Sequence, residues 1–145
     1  MDKIKFVLFI ILFAFNLCRS QTIVGKIYTK DEADKIYGPV STSVQISSSM
    51  LSNLANNTTN YLMFRLSDGY LIISGDKRKI LYPAGAVLGE KEEMKLFSVS
   101  LVTKLITEGN DSFTKIEIRN NNVLTITNGN YTLEYSWPCP PYCPG

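Results

Sequence analysis

The sequence contains no histidine, the residue that most often serves as a general base or as a neutral metal ligand. Without it, catalytic sites of the Ser-His-Asp and Cys-His kinds cannot be built from this chain. Cysteine is also scarce, with only Cys18, Cys139 and Cys143. A structural zinc site needs four ligands, and the two neighbouring cysteines supply half of them. We therefore expect no bound metal and no cofactor.

The chain also lacks a strong excess of charge of either sign. It has 15 basic and 13 acidic residues, which gives a net charge of +2. Removal of residues 1–20, argued below, would take away three basic residues and one acidic residue and leave 12 of each. A neutral mature chain has no general electrostatic attraction for nucleic acid or for an anionic membrane. Nucleic acid is therefore not among the expected partners.

Residues 1–20, MDKIKFVLFIILFAFNLCRS, have the pattern of a secretory signal peptide. Lys3 and Lys5 precede an apolar run over residues 6–15, and small residues suited to cleavage lead up to Ser20. The apolar run is shorter than the roughly 20 residues that a membrane-spanning helix needs. We therefore expect a secreted or periplasmic protein whose mature chain has no transmembrane segment.

Cys18 offers an alternative interpretation of the same segment. If it carried a lipid, the protein would be anchored to the cell envelope, although Leu17 stands where lipoproteins normally have a small residue. If residues 1–20 are removed, Cys139 and Cys143 remain as an even pair, the usual signature of a disulfide in an exported protein. Closure of so short a loop stabilises a fold by about 2 kcal/mol on the chain-entropy model. An unpaired or intermolecular pair is the alternative.

The mature chain is long enough for one domain with its own core. We predict three segments: a signal peptide over 1–20, one α+β domain over 21–136, and a C-terminal tail rich in proline and cysteine over 137–145. The expected fold has antiparallel β-meanders of about five or six strands, with two or three short helices. The tail, WPCPPYCPG, excludes helix because of its prolines, so no helix dipole can activate a cysteine there for redox catalysis.

Three helices are predicted from capping residues and apolar spacing. Thr29 and Glu32 form a capping box for a helix over 29–39. A second helix is expected near 47–56, although the surrounding Ser, Thr and Asn residues also fit a flexible spacer. Residues 94–99 favour a strand that leads into a third helix, capped by Ser100 and ended by Gly109. One continuous helix from residue 92 is the alternative.

Two turn signals predict hairpins. Asp68-Gly69 places Leu66 opposite Leu71 and Phe64 opposite Ile73, so that apolar residues share one face. Asn128-Gly129 is the stronger signal and would place Ile126 opposite Tyr131 and Leu124 opposite Leu133.

A loop over 120–122 should pair Ile118 with Leu124 and Ile116 with Ile126. The common apolar face of this three-stranded meander would then extend through Leu133 to Tyr135.

Aromatic residues near the end of the sequence are the strongest candidates for partner binding. Tyr131, Leu133, Tyr135 and Trp137 alternate and would point the same way on one strand, where the alternative to an exposed row is burial in the core. Trp137 lies past the paired region, beside the tail. We name Trp137, Tyr142 and Tyr135 as candidate contacts for a protein or carbohydrate partner. The predicted function is thus a non-enzymatic binding or structural module.

Paired carboxylates are the one catalytic arrangement that the composition allows, since glycoside hydrolysis needs only two. We interpret two acidic groups as residues at helix starts, where acids interact favourably with the helix dipole. A small carboxylate-dependent hydrolase is the alternative function. The candidates are Glu90, Glu92 and Glu93, and Asp31, Glu32 and Asp34.

Other charged or modifiable residues have simpler interpretations. Asp68 and Asp76 suit turns better than a calcium site, because no spaced ligand loop is present. The basic run 77–79 is typical of a solvated turn tip. Four Asn-x-Ser/Thr triplets would accept glycans only in a eukaryotic secretory pathway. They begin at Asn56, Asn57, Asn110 and Asn130.

Overall fold

A computed structural model describes residues 21–144, so the predicted signal peptide and the alternative lipid site at Cys18 lie outside the described residues. The described chain forms three α-helices, a short 3-10 helix and ten strands. The helices are α1 (Lys30–Tyr37), α2 (Ser48–Ala55) and α3 (Val99–Gly109), and the 3-10 helix is Asp76–Arg78. The strands are β1 (Lys26–Thr29), β2 (Val40–Ser47), β3 (Tyr61–Ser67), β4 (Tyr70–Ser74), β5 (Ile80–Tyr82), β6 (Met94–Ser98), β7 (Phe113–Arg119), β8 (Leu124–Asn128), β9 (Tyr131–Glu134) and β10 (Trp137–Cys139).

The strands form two antiparallel sheets of five strands each. The first sheet has the order β1-β9-β8-β7-β2, and the second has the order β10-β6-β3-β4-β5. This confirms the predicted α+β class with antiparallel sheets. The strand number exceeds the expected five or six, in large part because β1, β2 and β10 were not recognised as separate strands. All three are edge strands, and an edge strand that is short or polar has no alternating apolar pattern to reveal it.

The main core lies between the two sheets and includes residues of α2 and α3. Ile116, Ile126 and Leu133 come from the first sheet, while Phe64 and Phe97 come from the second. These two phenylalanine rings meet edge to face with centroids 6.1 Å apart. Burial of such side chains contributes roughly 1.5–3 kcal/mol each, which makes this cluster the main source of stability.

A second apolar cluster, which we call the outer cluster, covers the other face of the second sheet. It contains buried residues of β3, β4 and β6. The loop over 83–92 adds partly buried apolar side chains to it. Its buried members are Val24, Tyr61, Met63, Ile72, Met94, Leu96 and Cys139. The outer cluster therefore extends the packing of this sheet to the disulfide.

The predicted helices are confirmed in position, but both caps of α3 differ from the prediction. Gly109 is the last residue of α3, and Asn110, with a φ of 52°, is the residue that ends it. The capping box is present, since Thr29 N donates to Glu32 Oε2 at 3.0 Å and Glu32 N donates to Thr29 Oγ1 at 3.3 Å. A strand and then a helix occupy 94–109, rather than one continuous helix. The predicted Ser100 cap is wrong, because α3 begins directly after Ser98. The hydroxyl of Ser98 instead accepts a hydrogen bond from Val24 N at 2.8 Å.

The first hairpin has the predicted register, with Leu66 opposite Leu71 and Phe64 opposite Ile73. The pairing of β7 with β8 is also as predicted, with Ile116 opposite Ile126. The last hairpin is shifted by two residues, so that Ile126 lies opposite Leu133 rather than Tyr131. A shift of two residues keeps every side chain on its predicted face, because side chains alternate with period two.

Candidate functional site

The chain changes sheets at Tyr135, which follows β9 and has a positive φ of 70°. It then forms β10, which pairs antiparallel with β6 at the edge of the second sheet, with Trp137 opposite Leu96. The predicted row of aromatic residues along one strand is therefore wrong. Tyr135 leaves the core face at this bend and is 62% exposed. The bend sets Trp137 on the second sheet and leaves Tyr131 on the first.

A disulfide joins Cys139 to Cys143, as the sequence predicted, with 4.7 Å between their Cα atoms. We call residues 139–143 the disulfide loop. Tyr142 N donates a hydrogen bond to Pro138 O at 3.1 Å, which closes the loop back onto β10. Cys139 is fully buried in the outer cluster. Packing therefore anchors the loop at Cys139, and the disulfide holds Cys143 to this anchored end.

Arg78 joins the disulfide loop to the loop that precedes β6. Its Nη1 donates to Cys139 O at 2.7 Å, and its Nη2 donates to Glu92 O at 2.7 Å and to Gly89 O at 3.0 Å. The interpretation of 77–79 as a solvated tip is therefore wrong for Arg78, although Lys77 and Lys79 are exposed. No sequence signal distinguishes Arg78 from its neighbours, because its partners lie far along the chain.

The side chains of Trp137, Pro138 and Tyr142 line a shallow concavity, which we call the aromatic site. Its volume is about 220 Å³. The rings of Trp137 and Tyr142 have centroids 6.2 Å apart and planes tilted by 58°. Trp137 is 42% exposed and Tyr142 is 62% exposed. Two large aromatic rings are thus held together and remain open to solvent.

Tyr135, the third predicted contact, lies apart from the aromatic site. Its ring meets the ring of Tyr37 edge to face, with centroids 6.4 Å apart. Tyr37 O–H donates to the Tyr28 hydroxyl at 3.2 Å, and burial raises the pKa of Tyr37 far above its ordinary value. These three tyrosines join α1 to the first sheet. Tyr135 therefore has a packing role that the sequence did not indicate.

No family model, curated protein or solved structure matches this chain.

Four of the six acidic residues proposed for the alternative hydrolase have structural partners, whereas Asp31 and Glu90 are exposed. Asp34 pairs with Lys30 and Arg119, and Glu32 belongs to the capping box. The predicted helix start at 90–93 is wrong, because these residues form a turn before β6.

In that turn, Glu92 accepts from Gly89 N at 2.7 Å and lies 3.3 Å from Arg65. Glu93 forms an ion pair with Lys95. Within residues 21–144, no group of three or more metal-ligating side chains lies together. None of the helices described here is long and apolar enough to cross a bilayer.

A buried charge cluster on the outer face of the first sheet was missed by sequence reasoning. Arg119 is 1% exposed and Glu134 is fully buried. Arg119 Nε donates to Glu134 Oε1 at 2.8 Å, and Nη1 donates to Asp34 Oδ1 at 2.9 Å and to Gly38 O. Thr125 Oγ1 also donates to Glu134 Oε1 at 2.8 Å. The cluster fixes α1 and the turn after it to the sheet.

Burial raises the pKa of Glu134 above its usual value, although Thr125 and Arg119 act in the opposite direction. The hydrogen bonds from Lys30 and Arg119 lower the pKa of Asp34. Burial alone would lower the pKa of Arg119, but its bond to Asp34 and the charge of Glu134 raise it. Arg119 and Asp34 thus hold α1 to the sheet, whereas Oε2 of the buried Glu134 has no hydrogen-bond partner among residues 21–144. The four sequon asparagines, Asn56, Asn57, Asn110 and Asn130, are all exposed.

Proposed function

We propose that this protein is an exported, non-enzymatic binding module whose aromatic site holds an apolar, proline-containing segment of another protein. The observation that carries the proposal is the pair of exposed rings, Trp137 and Tyr142, fixed around Pro138 by the disulfide and by Arg78. Aromatic residues of this kind are enriched among the residues that dominate binding energy at interfaces. The disulfide and Arg78 hold the backbone of the site before binding, so less backbone entropy is lost when it is occupied.

The size of the concavity favours part of a macromolecule over a small molecule. Its volume of about 220 Å³ lies below the roughly 300–1,000 Å³ that is typical of small-molecule sites. A space of this size suits one or two side chains of a partner. Such a partner would bind mainly at the surface, with one ring or apolar group packed against the exposed faces of Trp137 and Tyr142.

The chemistry of the lining favours a peptide over a sugar. Among the described residues, the lining side chains are two aromatic rings and one proline. Their polar groups are limited to the indole N–H and the phenol O–H. A sugar presents many hydroxyl groups that need partners, whereas a proline ring packs on aromatic faces in the extended polyproline conformation.

The position of the site on an edge strand also limits how a partner can bind. β10 is at the edge of the second sheet, where an added strand would normally pair through its backbone. Pro138 has no N–H and stands in the middle of this short strand, which weakens such pairing. We therefore expect recognition through side chains.

Export to an oxidising compartment is part of the proposal. A disulfide in a small domain is typical of secreted or periplasmic proteins. The signal-peptide pattern of residues 1–20 supports the same location.

Trp137 is the only tryptophan of the chain, so its fluorescence reports directly on the aromatic site. We would titrate the oxidised protein with a short polyproline peptide and, separately, with a linear β-linked oligosaccharide. The proposal predicts a saturable change in emission with the peptide. Tyr142→Ala should weaken this binding about tenfold or more, which is typical of an aromatic anchor.

Tyr70→Ala is the matched control, because Tyr70 is an exposed tyrosine on β4. This variant should bind like the wild type. Saturable binding of the oligosaccharide with no response to the peptide would contradict the proposed partner. Loss of native function in Glu92→Gln or Glu93→Gln, with the fold intact, would favour the hydrolase instead.

A further inference from the structure

The two sulfur atoms of the disulfide lie in very different surroundings. Cys139 is fully buried in the outer cluster, whereas Cys143 is exposed. A thiol that approaches from solvent therefore reaches the sulfur of Cys143 and is kept from the sulfur of Cys139. In thiol–disulfide exchange, a thiolate attacks one sulfur and the other departs. Accessibility thus selects Cys143 as the attacked atom and Cys139 as the leaving group.

Arg78 lies beside the sulfur that would leave. Its Nη1 is 3.6 Å from Cys139 Sγ and also donates to Cys139 O at 2.7 Å. The bonds from Nη2 to Gly89 O and Glu92 O hold the guanidinium in this position. Burial alone disfavours a thiolate at Cys139, and the adjacent guanidinium supplies both positive charge and an N–H donor to offset it. A leaving thiolate that is better stabilised departs faster.

We propose that the disulfide loop is a thiol-exchange site that accepts an external thiol on Cys143. The incoming thiolate forms a new S–S bond with Cys143 Sγ. The bond between Cys143 and Cys139 breaks, and its electron pair leaves with Cys139 Sγ as a thiolate beside Arg78. The incoming thiol is oxidised to a mixed disulfide and Cys139 is reduced. A second thiolate can then displace Cys143 as a thiolate, which takes a proton from water, and form the disulfide of the external thiol.

The substrate class is therefore a thiol, either a small molecule or a cysteine of another protein. The inference does not rest on the proposed function, since exchange requires the two sulfurs and Arg78 rather than a bound proline segment. Failure of peptide binding at the aromatic site would leave it intact.

The position of attack is tested with the oxidised protein and glutathione. The reaction is stopped with acid, the freed thiol is alkylated with N-ethylmaleimide, and fragmentation mass spectrometry locates both groups. We expect glutathione on Cys143 and the maleimide on Cys139. Glutathione on Cys139, equal labelling of both residues or no exchange would overturn the inference.

The role of Arg78 is tested by the rate of the same reaction in Arg78→Gln. We expect exchange about three- to tenfold slower, since the variant removes a charge-assisted contact that is only partly developed in the transition state. Lys77→Gln is the matched control, because it removes one positive charge from the same turn at an exposed position. An unchanged or faster rate in folded Arg78→Gln would overturn the assignment of Arg78.

A third comparison identifies the source of the thiol. A short peptide with cysteine flanked by prolines is compared with glutathione at equal concentration. Faster exchange with the peptide supports a protein thiol, and equal or slower exchange supports a small-molecule thiol.

Discussion

At the scale of the residue, two arginines fix parts of the chain that local sequence would leave free. Arg119 joins α1 to the first sheet through Asp34 and Glu134. Arg78 joins the disulfide loop to the loop before β6 through three carbonyl groups. Arg119 is withdrawn from water and Arg78 is partly buried, and both are compensated by hydrogen bonds. Loss of one partner should therefore cost more than loss of a surface ion pair.

Arg119→Met tests this cost directly. The variant leaves the carboxylate of Glu134 buried without its cation, so the free energy of unfolding should fall by about 3–5 kcal/mol. The double variant Arg119→Met/Glu134→Leu should recover most of this loss, because no buried charge remains uncompensated. Urea denaturation measures both changes. Arg65→Met is the control, because it removes a partly exposed ion pair with Glu92. Its free energy of unfolding should fall by less than about 1 kcal/mol. An equally small fall in Arg119→Met would contradict the proposed role of the buried cluster.

Asp34 gives the cluster a dependence on pH with a definite sign. Its pKa is lowered in the folded protein, so its stabilising effect is present above its ordinary pKa near 3.8 and is lost as the pH falls further. Asp34→Asn should reduce stability at pH 7 by about 1 kcal/mol, after allowance for partial exposure. The difference from wild type should shrink toward zero on acidification below that ordinary pKa. Urea denaturation at several pH values checks this, and a difference that grows on acidification would contradict it.

At the scale of the element, contacts of the last hairpin with α2, β7 and the C-terminal end of α3 decide its register. Asn128 is fully buried, and its Nδ2 donates to Ser48 Oγ and Thr114 Oγ1, both at 2.9 Å. Asp111 N donates to Asn128 Oδ1 at 3.0 Å. Asn128 is therefore the last paired residue of β8 rather than part of the turn. Tertiary hydrogen bonds here override the local preference for a turn centred on Asn128-Gly129.

Gly109 allows the end of α3 to lie close to the backbone of Asn128, and Gly109→Ala should disrupt this contact. A Cβ atom at Gly109 would lie 2.1 Å from Asn128 Oδ1 and 2.3 Å from its carbonyl oxygen. Because a backbone atom cannot move aside cheaply, we expect a loss of about 2–3 kcal/mol in thermal or urea denaturation. Gly89→Ala is the control, since its nearest contact would be the flexible Glu92 side chain at 3.4 Å. Equal stability of the two variants would show that the contact does not decide the register.

The sequence predicts elements whose signals are local and misses those whose signals are not. The capping box at Thr29, the turn at Asp68-Gly69 and the pairing of Ile116 with Ile126 depend on neighbouring residues, and all are confirmed. The disulfide was predictable because its cysteines lie four residues apart, and the closeness of Trp137 and Tyr142 follows from the same short segment. Arg78 was missed because Cys139 is 61 residues away. The strand β2 was missed because its Ser and Thr residues suit an exposed edge as well as a spacer.

At the scale of the whole molecule, the two sheets place the aromatic site at one edge, away from the main core. The outer cluster supports the site through Cys139, and α1 with the buried charge cluster lies on the first sheet. The disulfide loop spans only a few residues and contributes little to the core. Its opening should therefore alter the site without unfolding the protein.

Reduction of the disulfide tests this separation of site and fold. A phosphine reductant should lower the free energy of unfolding by about 2 kcal/mol or less, because the closed loop is short and rich in proline. Binding of the polyproline peptide should weaken at the same time, since Tyr142 is no longer held against Trp137. Thermal denaturation and fluorescence titration measure the two effects, with Cys139→Ala/Cys143→Ala as a variant that the reductant cannot affect. Global unfolding on reduction would contradict the separation.

We propose that Trp137, Pro138 and Tyr142 form the surface that receives a partner. The most direct measurement is chemical-shift mapping of the isotope-labelled, oxidised protein with the polyproline peptide. We predict that the largest changes occur at the indole N–H of Trp137 and at the amides of Tyr142, Cys139 and Cys143. Changes centred instead on the Tyr37–Tyr135 pair or on the exposed edge of β2, with Trp137 unaffected, would contradict the claim.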